Sequence, residues 1–154
     1  MNISISDISH LHFANDISSC IDESAKVRGT GIARRSPKYI GEKIKNGNSI
    51  IAICNNEFAG FCYIERWEHG KYVAHSGLIV NPKFRGKGLA KRIKKKIFNL
   101  SKKKFPGVKI FGITTAQAVM KINSELGYRP VHFSKLTNDP DFWSGCQTCK
   151  NFDV

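Results

Sequence analysis

The stretch RGKGLA at residues 85–90 places two glycines between the end of one predicted element and the start of the next. The residues Val80, Asn81 and Pro82 end a run of strand-forming residues, and a helical pattern begins after Gly88. Glycine permits a positive φ and lets a ligand approach the backbone without meeting a Cβ. A helix N-terminus presents unpaired N–H groups and the positive end of the helix dipole. Together these features predict an anion site, for which phosphate is the usual ligand.

Two well-known nucleotide-binding patterns do not fit this turn. A P-loop requires G-x-x-x-x-G-K-[ST], and no such run occurs in the chain. The dinucleotide fingerprint G-x-G-x-x-G requires Gly or Ala at the position of Lys91, together with a preceding βαβ unit. Both patterns are therefore rejected.

The lysines that follow the turn have a simpler interpretation. An apolar stripe at helical spacing runs through Leu89, Ile93, Ile97 and Leu100. The lysines at positions 91, 94, 95 and 96 lie off this stripe. Most of them are therefore expected to form a solvated helix face.

Length and composition indicate one globular domain, residues 1–154, with 41% hydrophobic and 24% charged residues. The net charge of +13 favours anionic partners. The start MNISISDISHLHF lacks the pattern of a secretory signal, and no apolar run approaches the roughly 18 residues that span a bilayer. We therefore expect a cytoplasmic protein without membrane association, whose five cysteines are reduced.

The predicted elements alternate between strand and helix. NISIS is a first strand, and SIIAICNN, EFAGFCYIERW and YVAHSGLIV form a three-stranded antiparallel meander with short turns. Helices are predicted over 15–28, capped by Asp16 or Ser18, over 37–45, and from 85 to about 104. VKIFGITT then predicts a buried strand, AQAVMKINSEL a helix ended by Gly127, and YRPVHFSKL a further strand, before an irregular tail over about 137–154. This order is typical of a mixed α/β (α+β) single domain.

The motif R-x-x-G-x-A, formed by Arg85, Gly88 and Ala90, resembles the acetyl-CoA-binding motif of the GNAT superfamily of N-acetyltransferases. Its surroundings extend the resemblance: a meander and LIVNPKF precede it, LAKRIKKKI follows it, and ELGYRP is similar to the late LGF signature of the family. The resemblance covers most of residues 3–135. It implies a single GNAT-like domain with a central, mostly antiparallel mixed sheet flanked by helices.

The resemblance also implies acetyl-CoA as the acyl donor. The backbone of the turn would hold the pyrophosphate of coenzyme A, at Arg85, Gly86, Lys87, Gly88, Leu89 and Ala90. The charges of Lys87 and Lys91 would add phosphate contacts. The strand before the turn would bind the pantetheine arm through Leu78, Ile79 and Val80, with Gly77 marking the bulge that opens the strand.

The catalytic groups are less clearly marked. His75 is the first candidate for the general base and Glu65 is its rival, although each also fits an ordinary structural role. The family's acid for the leaving group is a tyrosine five residues before the aromatic of LGF, and counting back from Tyr128 gives Asn123. An amide can donate a hydrogen bond but does not donate its proton in that role. Water, Tyr128 or spontaneous release of the thiolate are the alternatives.

The acceptor side is expected in the segment VRGTGIARRSP, where Arg28, Arg34 and Arg35 could bind a carboxylate or be solvated. The pair Cys146 and Cys149 in the tail is expected to pack under nearby aromatics, with structural zinc or a redox pair as alternatives, and no metal site is predicted. The tail and three other segments resemble a GNAT subgroup found beside arginine-biosynthesis genes, which favours an amino acid as acceptor.

These features predict an acetyl-CoA-dependent N-acetyltransferase that acts on a small-molecule primary amine. Its expected partners are that amine and coenzyme A, and a homodimer is left open. One alternative is a catalytically impaired acyl-CoA-binding domain, which the departure at Asn123 suggests. The other is a basic nucleic-acid-binding module, for which the basic helix lacks interleaved aromatics apart from Phe84 and Phe98. Nucleic acid is therefore not expected as a partner.

Overall fold

The fold was analysed in a computed structural model that describes residues 1–28 and 34–147. One sheet contains five strands in chain order, β1 (Asn2–Ile5), β2 (Ser49–Cys54), β3 (Glu57–Trp67), β4 (Tyr72–Val80) and β5 (Lys109–Phe111). The helices are α1 (Ala14–Arg28), α2 (Pro37–Lys45), α3 (Leu89–Lys104), α4 (Gln117–Glu125) and α5 (Pro140–Ser144). The first four strands pair antiparallel and β5 pairs parallel to β4. The mixed sheet flanked by helices confirms the predicted fold class.

The sheet is covered on both faces, because β3 buries both sets of its alternating side chains. Phe61 and Tyr63 point towards α1 and α2, which contribute Ile17, Ile21, Ile40 and Ile44 to that core. Cys62 and Ile64 point towards α3, which contributes Leu89, Ile93 and Ile97. Each fully buried Ile, Leu or Phe side chain stabilises the fold by about 1.5–3 kcal/mol relative to exposure. The stripe predicted for α3 is confirmed.

A bulge interrupts the pairing of β3 with β4. Phe61 pairs with Ile79 but Tyr63 pairs with Ser76, so β4 has one extra residue opposite Cys62. Gly77 adopts φ +62° at this point, and a Cβ there would lie 2.3 Å from the Tyr63 ring. The predicted bulge at Gly77 is confirmed, and only glycine fits it without displacing the ring.

The strands β4 and β5 pair over only three positions, from Tyr72–Lys109 to Ala74–Phe111. The strand predicted over 108–115 is therefore shorter than expected. Beyond Ala74 the two strands separate, and among the described residues no strand pairs with this edge of β4 up to Val80. The separation leaves a gap in the sheet between β4 and the segment that follows β5.

Two sequence predictions about elements in the second half of the chain are wrong. No strand forms over 128–136, which instead contains a short 3₁₀ turn at Phe133–Lys135. Pro130 lacks an N–H, and β5 offers only three residues to pair with. Helix α3 begins at Leu89 rather than 85, because Gly86 and Gly88 have positive φ.

The N-terminal and C-terminal predictions also need correction. Helix α1 is not capped by Asp16 or Ser18, since it continues directly from a 3₁₀ turn, Ile8–Phe13, that Asp7 caps. The tail is not wholly irregular, because α5 forms behind the cap Asp139 with Pro140 in its first turn. Within the described residues, no helix combines the length and apolar character needed to cross a membrane.

Candidate active site

The glycine-rich turn lies at the N-terminus of α3, as the sequence predicts. Gly86 and Gly88 adopt φ of +77° and +68°, and a Cβ on either would meet no atom within 4 Å. Gly88 is the N-cap of α3 and provides no side-chain cap, so the first N–H groups of the helix point outward without an intrahelical acceptor. The turn is therefore an open cradle of backbone donors that fits a phosphate group.

The side chains around this turn divide into paired and open groups. Arg85 folds back, its Nε donating to the Val80 carbonyl at 3.2 Å. Lys83 pairs with Glu57 at 2.5 Å and Lys91 pairs with Glu125 at 2.5 Å. Lys87 is exposed and has no ion pair among the described residues, which leaves its charge facing solvent beside the cradle.

The free edge of β4 leads from this cradle into the gap between β4 and β5. Ile79 and Val80 pair with β3 on one side only, and Leu78 lies in the bulge next to Gly77. Asn81 closes the strand by donating its side-chain N–H to the Phe58 carbonyl at 2.9 Å. The outer edge of β4 has no partner strand beyond Ala74 among the described residues, so its backbone groups can pair with an extended ligand, except the Val80 carbonyl, which accepts from Arg85 Nε. The nine residues predicted to bind the cofactor lie along this end of β4 and the turn into α3, with the side chains of Ile79 and Leu89 buried in the core.

A buried polar cluster lies on the α3 face of this gap, and we refer to it as the His75 cluster. Its members are His75, Lys94, Ser101, Asn123 and Tyr128, of which the first four are buried. His75 Nε2 lies 2.8 Å from Ser101 Oγ, and His75 Nδ1 lies 2.9 Å from the Tyr128 hydroxyl. Burial, reinforced by the charge of Lys94, lowers the pKa of His75 to about 3. The imidazole is therefore neutral and engaged at both nitrogens.

Lys94 corrects the interpretation of the basic stretch. Lys91, Lys95 and Lys96 are exposed as expected, but Lys94 is only 2% exposed. Its Nζ lies 5.3 Å from the centre of the Tyr128 ring, and burial lowers the pKa of this lysine. In the sequence Lys94 borders the apolar stripe, three residues before Ile97, but this spacing does not show that the side chain is covered.

Asn123 lies at the predicted position on α4, inside the same cluster. Its Oδ1 is buried and has no hydrogen-bond partner among the described residues. Leaving a buried acceptor unpaired costs about 1–3 kcal/mol, which a bound ligand with an N–H group could offset. Burial also raises the pKa of Tyr128 well above its ordinary value, so its phenol stays protonated.

A second cluster, the Tyr63 cluster, lies on the α1/α2 face of the sheet. It consists of Arg35, Tyr39, Lys43, Tyr63 and Glu65. Arg35 Nε donates to the Tyr63 hydroxyl at 2.6 Å, and Lys43 Nζ lies 2.9 Å from Glu65 Oε1 while donating to the Ile64 carbonyl at 3.0 Å. Sequence analysis predicted Glu65 and Arg35 separately, and the structure brings them to one cluster.

The pKa values in this cluster reflect burial. Burial raises the pKa of Glu65 to about 7, against the opposing charge of Arg35. Burial, together with the charge of Arg35, lowers the pKa of Lys43 to about 8. The close contact between the two groups works against both shifts, so the directions of the shifts follow from burial.

The predicted substrate arginines differ in exposure. Arg28 ends α1 and is exposed, as is Arg34, whereas Arg35 is half-buried. Residues 29–33, which connect Arg28 to this group, lie outside the described residues. Only Arg35 is therefore fixed against the sheet by contacts, through Tyr63 and the Tyr39 ring at 5.2 Å.

The structure also contains a groove separate from the glycine turn. It is lined by Phe98, Phe105, Ile110 and Tyr128, and it reaches the His75 cluster from the side away from that turn. Of the described His, Cys, Asp and Glu residues, no three come together as a metal site. Cys149 lies outside the described residues, so the roles considered for its pair with Cys146 stay predictions.

Comparison with known proteins places the chain among acetyltransferases. The family described as Acetyltransferase (GNAT) family matches residues 21–121. No curated protein matches the chain. Among solved structures, N-acetylglutamate synthase from Neisseria gonorrhoeae, complexed with coenzyme A and N-acetyl-glutamate, has a TM-score of 0.73 at 16% identity. The alignment covers 96% of this chain and 33% of that enzyme, so this chain spans about a third of its length.

Two further structures share the fold over more of their own length. A protein from Mycobacterium tuberculosis in complex with CoA has a TM-score of 0.69 at 12% identity, covering 96% of this chain and 82% of that one. Diaminobutyrate acetyltransferase from Paenibacillus lautus, in complex with L-2,4-diaminobutyric acid and coenzyme A, has a TM-score of 0.62 at 16% identity, covering 82% and 73%. At these identities the likeness shows the fold.

Proposed function

Because the chain belongs to the acetyltransferase (GNAT) family, whose acyl donor is acetyl-CoA, we propose that this acyltransferase acetylates the primary amine of a small molecule, an amino acid. The observation that carries the proposal is the open cradle at Gly86 and Gly88, which continues into the unpaired edge of β4. Phosphate at a helix N-terminus and an extended arm along a strand edge together match a coenzyme A thioester.

The donor binds along this surface. Backbone N–H groups from Gly86 to Ala90 hold the pyrophosphate, since the N–H of Arg85 already donates to the Pro82 carbonyl at 3.3 Å. Lys87 adds a charge-assisted contact. The edge of β4 at Leu78, Ile79 and Val80 pairs with the pantetheine arm. This arrangement brings the thioester to the gap between β4 and β5, beside the bulge at Gly77.

The acceptor binds on the α1/α2 face. Arg28, Arg34 and Arg35 supply guanidinium groups suited to a carboxylate, and the contacts of Arg35 with Tyr63 support its share in that role. Two structural neighbours were crystallised with N-acetyl-glutamate and with 2,4-diaminobutyric acid, which supports an amino acid as acceptor.

Glu65 is the general base in this proposal, and His75 is the second candidate. Glu65 lies on the α1/α2 face with a pKa near 7, which suits proton transfer from an amine at neutral pH. His75 lies on the α3 face with both nitrogens within hydrogen-bond distance of partners. A backbone N–H near the bulge stabilises the oxyanion. The side-chain amide of Asn123 donates a hydrogen bond to acetyl-CoA.

Binding of the donor is tested by thermal unfolding with acetyl-CoA. At 100-fold excess over the dissociation constant we expect about 2.7 kcal/mol of stabilisation. Gly88→Asp should abolish this shift, because its carboxylate would occupy the phosphate site. Gly107→Asp is the matched control, since Gly107 also has a positive φ and open space but lies far along the chain, beyond α3. No shift in the wild type at millimolar acetyl-CoA would contradict the proposal.

Catalysis is tested by free-thiol release across a panel of amines with acetyl-CoA and succinyl-CoA. Turnover with one or more amino acids is the expected result. The position of Asn123, where the family's acid is absent, supports a second candidate function, an acyl-CoA-binding domain without turnover. A thermal shift without thiol release for any amine would favour that second function.

A further inference from the structure

The His75 cluster contains a charge that the proposed reaction has not yet used. Lys94 is 2% exposed, and of the described residues none forms an ion pair or a hydrogen bond with its Nζ. Removing an ammonium group from water without a counter-charge costs several kcal/mol. A helix with so many lysines could have placed an apolar residue here, so a buried, unpaired lysine needs an explanation.

The Lys94 side chain points towards the gap between β4 and the segment that follows β5. The position that a Cβ would occupy on Gly112 lies 3.7 Å from Lys94 Nζ and 3.8 Å from Asn123 Nδ2. Gly112 directly follows Phe111, the last residue of β5 that pairs with β4. Lys94 and Asn123 therefore converge from two helices on the point where the sheet opens.

The other groups around Lys94 do not neutralise it. Cys62 on β3 is buried, and burial raises its pKa to about 11, so it remains a thiol. His75 on β4 is neutral, and Tyr128 after α4 is a protonated phenol held to His75 at 2.9 Å. The cluster thus brings one cation, Lys94, and the Asn123 side-chain amide nitrogen to the gap beside Gly112, while Asn123 Oδ1 is buried without a partner among the described residues.

We infer that Lys94 stabilises and protonates the thiolate of coenzyme A as it leaves, in place of the tyrosine that Asn123 replaces. The inference rests on the proposed function, because it requires the thioester to lie in the gap. Burial lowers the pKa of Lys94, which makes its ammonium a stronger acid than an exposed lysine.

The acceptor amine attacks the thioester carbonyl carbon, the C–N bond forms, and the amine proton passes to Glu65. The C–S bond then breaks and its electron pair goes to sulfur. The Lys94 ammonium pairs with this thiolate and transfers a proton to it, leaving a thiol and a neutral amine. Water returns a proton to Lys94 after the products leave.

The test compares two ligands and two variants. Coenzyme A is compared with desulfo-coenzyme A, in which hydrogen replaces the thiol, and Lys94→Met is compared with Lys95→Met, an exposed lysine on the same helix. Wild type and Lys95→Met should bind coenzyme A about tenfold more tightly than desulfo-coenzyme A, the size of one charge-assisted hydrogen bond. In Lys94→Met this ratio should fall to about one, with the affinity for desulfo-coenzyme A unchanged within about twofold.

A kinetic readout separates this role from a structural one. With acetyl-CoA and an amine that wild type acetylates, Lys94→Met should lower kcat by about 100-fold or more, the size of a general-acid contribution, while KM for acetyl-CoA changes by less than about twofold. Equal loss of affinity for both ligands, an unchanged ratio or an unchanged kcat overturns the inference. If Lys94→Met does not fold, a wild-type ratio of about one decides against the inference alone. Failure of wild type to bind either ligand instead overturns the proposed function.

Discussion

Glu65 and His75 occupy adjacent strands but project to opposite faces of the sheet. Glu65 pairs in register with Ala74 and contacts Lys43 on α2, whereas His75 pairs with Ile64 and contacts Ser101 on α3. Burial acts on both, raising the pKa of the carboxyl group and lowering the pKa of the imidazole. In each case burial favours the neutral form. Because the two pKa values are shifted in opposite directions, the two residues are expected to affect activity and stability in different pH ranges.

The first prediction concerns the pH dependence of activity. If Glu65 is the base, kcat/KM should rise with pH through about 7, because the carboxylate is the active form and burial raises its pKa to about 7. Glu65→Gln should lower kcat/KM by about 100-fold or more and remove this rise with pH, which we call the acid limb of the pH profile. His75→Gln is the comparison, and it should keep the limb. Retention of the limb in Glu65→Gln and its loss in His75→Gln would reverse the assignment.

The second prediction concerns stability in acid. The native pKa of His75 is lowered from 6.5 to about 3, so the unfolded state binds more protons below pH 6.5 and stability is lost as pH falls. The raised pKa of Glu65 has the opposite effect on stability between pH 6.5 and 4.5, because there the native state binds more protons than the unfolded state. The contribution of His75 is therefore measured as a difference between wild type and a variant. The difference in unfolding free energy between wild type and His75→Gln should shrink by about 2–3 kcal/mol between pH 6.5 and 4.5.

Urea titrations at each pH measure this difference. His12→Gln is the control, because His12 is exposed, and it shows how much of the change comes from replacing a histidine outside the cluster. A constant difference for His75→Gln would show that the imidazole is not held neutral by the fold.

At the scale of elements, the local spacing of apolar residues was sufficient to predict an element that buries a single face against the core. The four-, four- and three-residue spacing of Leu89 to Leu100 predicts α3 correctly, and short turns predict the meander. The local sequence pattern did not predict strands whose pairing depends on residues far away in the chain. The separation of β4 from β5 after Ala74 shortens β5 and leaves 128–136 without a partner strand. Lys94 was assigned to solvent because its burial depends on α4 and on the segment after β5.

The bulge in β4 gives the third prediction. Gly77→Ala combines a positive φ, which costs about 1–2 kcal/mol for a residue with a Cβ, with a contact 2.3 Å from the Tyr63 ring. Overpacking adds about 1–3 kcal/mol. Gly107→Ala isolates the first cost, because its φ is +78° and no atom lies within 4 Å of a Cβ. Thermal unfolding should therefore show the larger loss for Gly77→Ala, and equal losses would mean that Tyr63 moves freely.

At the scale of the whole molecule, sequence predicted the order of layers but not how the C-terminal segment closes the sheet. Phe142 and Trp143 pack against Trp67, Tyr72 and Phe111 at the β5 edge. Glu68 accepts a hydrogen bond from Thr137 Oγ1 at 2.7 Å and its N–H donates to Asp139 at 3.1 Å, which fixes the segment that leads into α5. The aromatic residues at 142 and 143 suggested packing, but their partners come from three different strands.

The last prediction concerns whether this C-terminal layer unfolds with the rest. The chain has two tryptophans, and both contact Phe142: Trp67 at 5.2 Å and Trp143 at 4.9 Å between ring centres. Tryptophan fluorescence therefore reports on this layer, while far-ultraviolet circular dichroism reports on all elements. In a single cooperative domain the two unfolding curves should coincide.

The variant Phe142→Ala makes this test sharper. It should lower stability by about 2 kcal/mol, less than for a fully buried phenylalanine because the side chain is half-buried, and shift both curves together. Phe133→Ala is the matched control, since Phe133 also contacts Trp143 at 5.8 Å but is 60% exposed, and it should shift neither curve appreciably. If fluorescence changes first in Phe142→Ala while circular dichroism keeps its wild-type midpoint, the layer is a separate unit and residues 1–154 do not unfold as one domain.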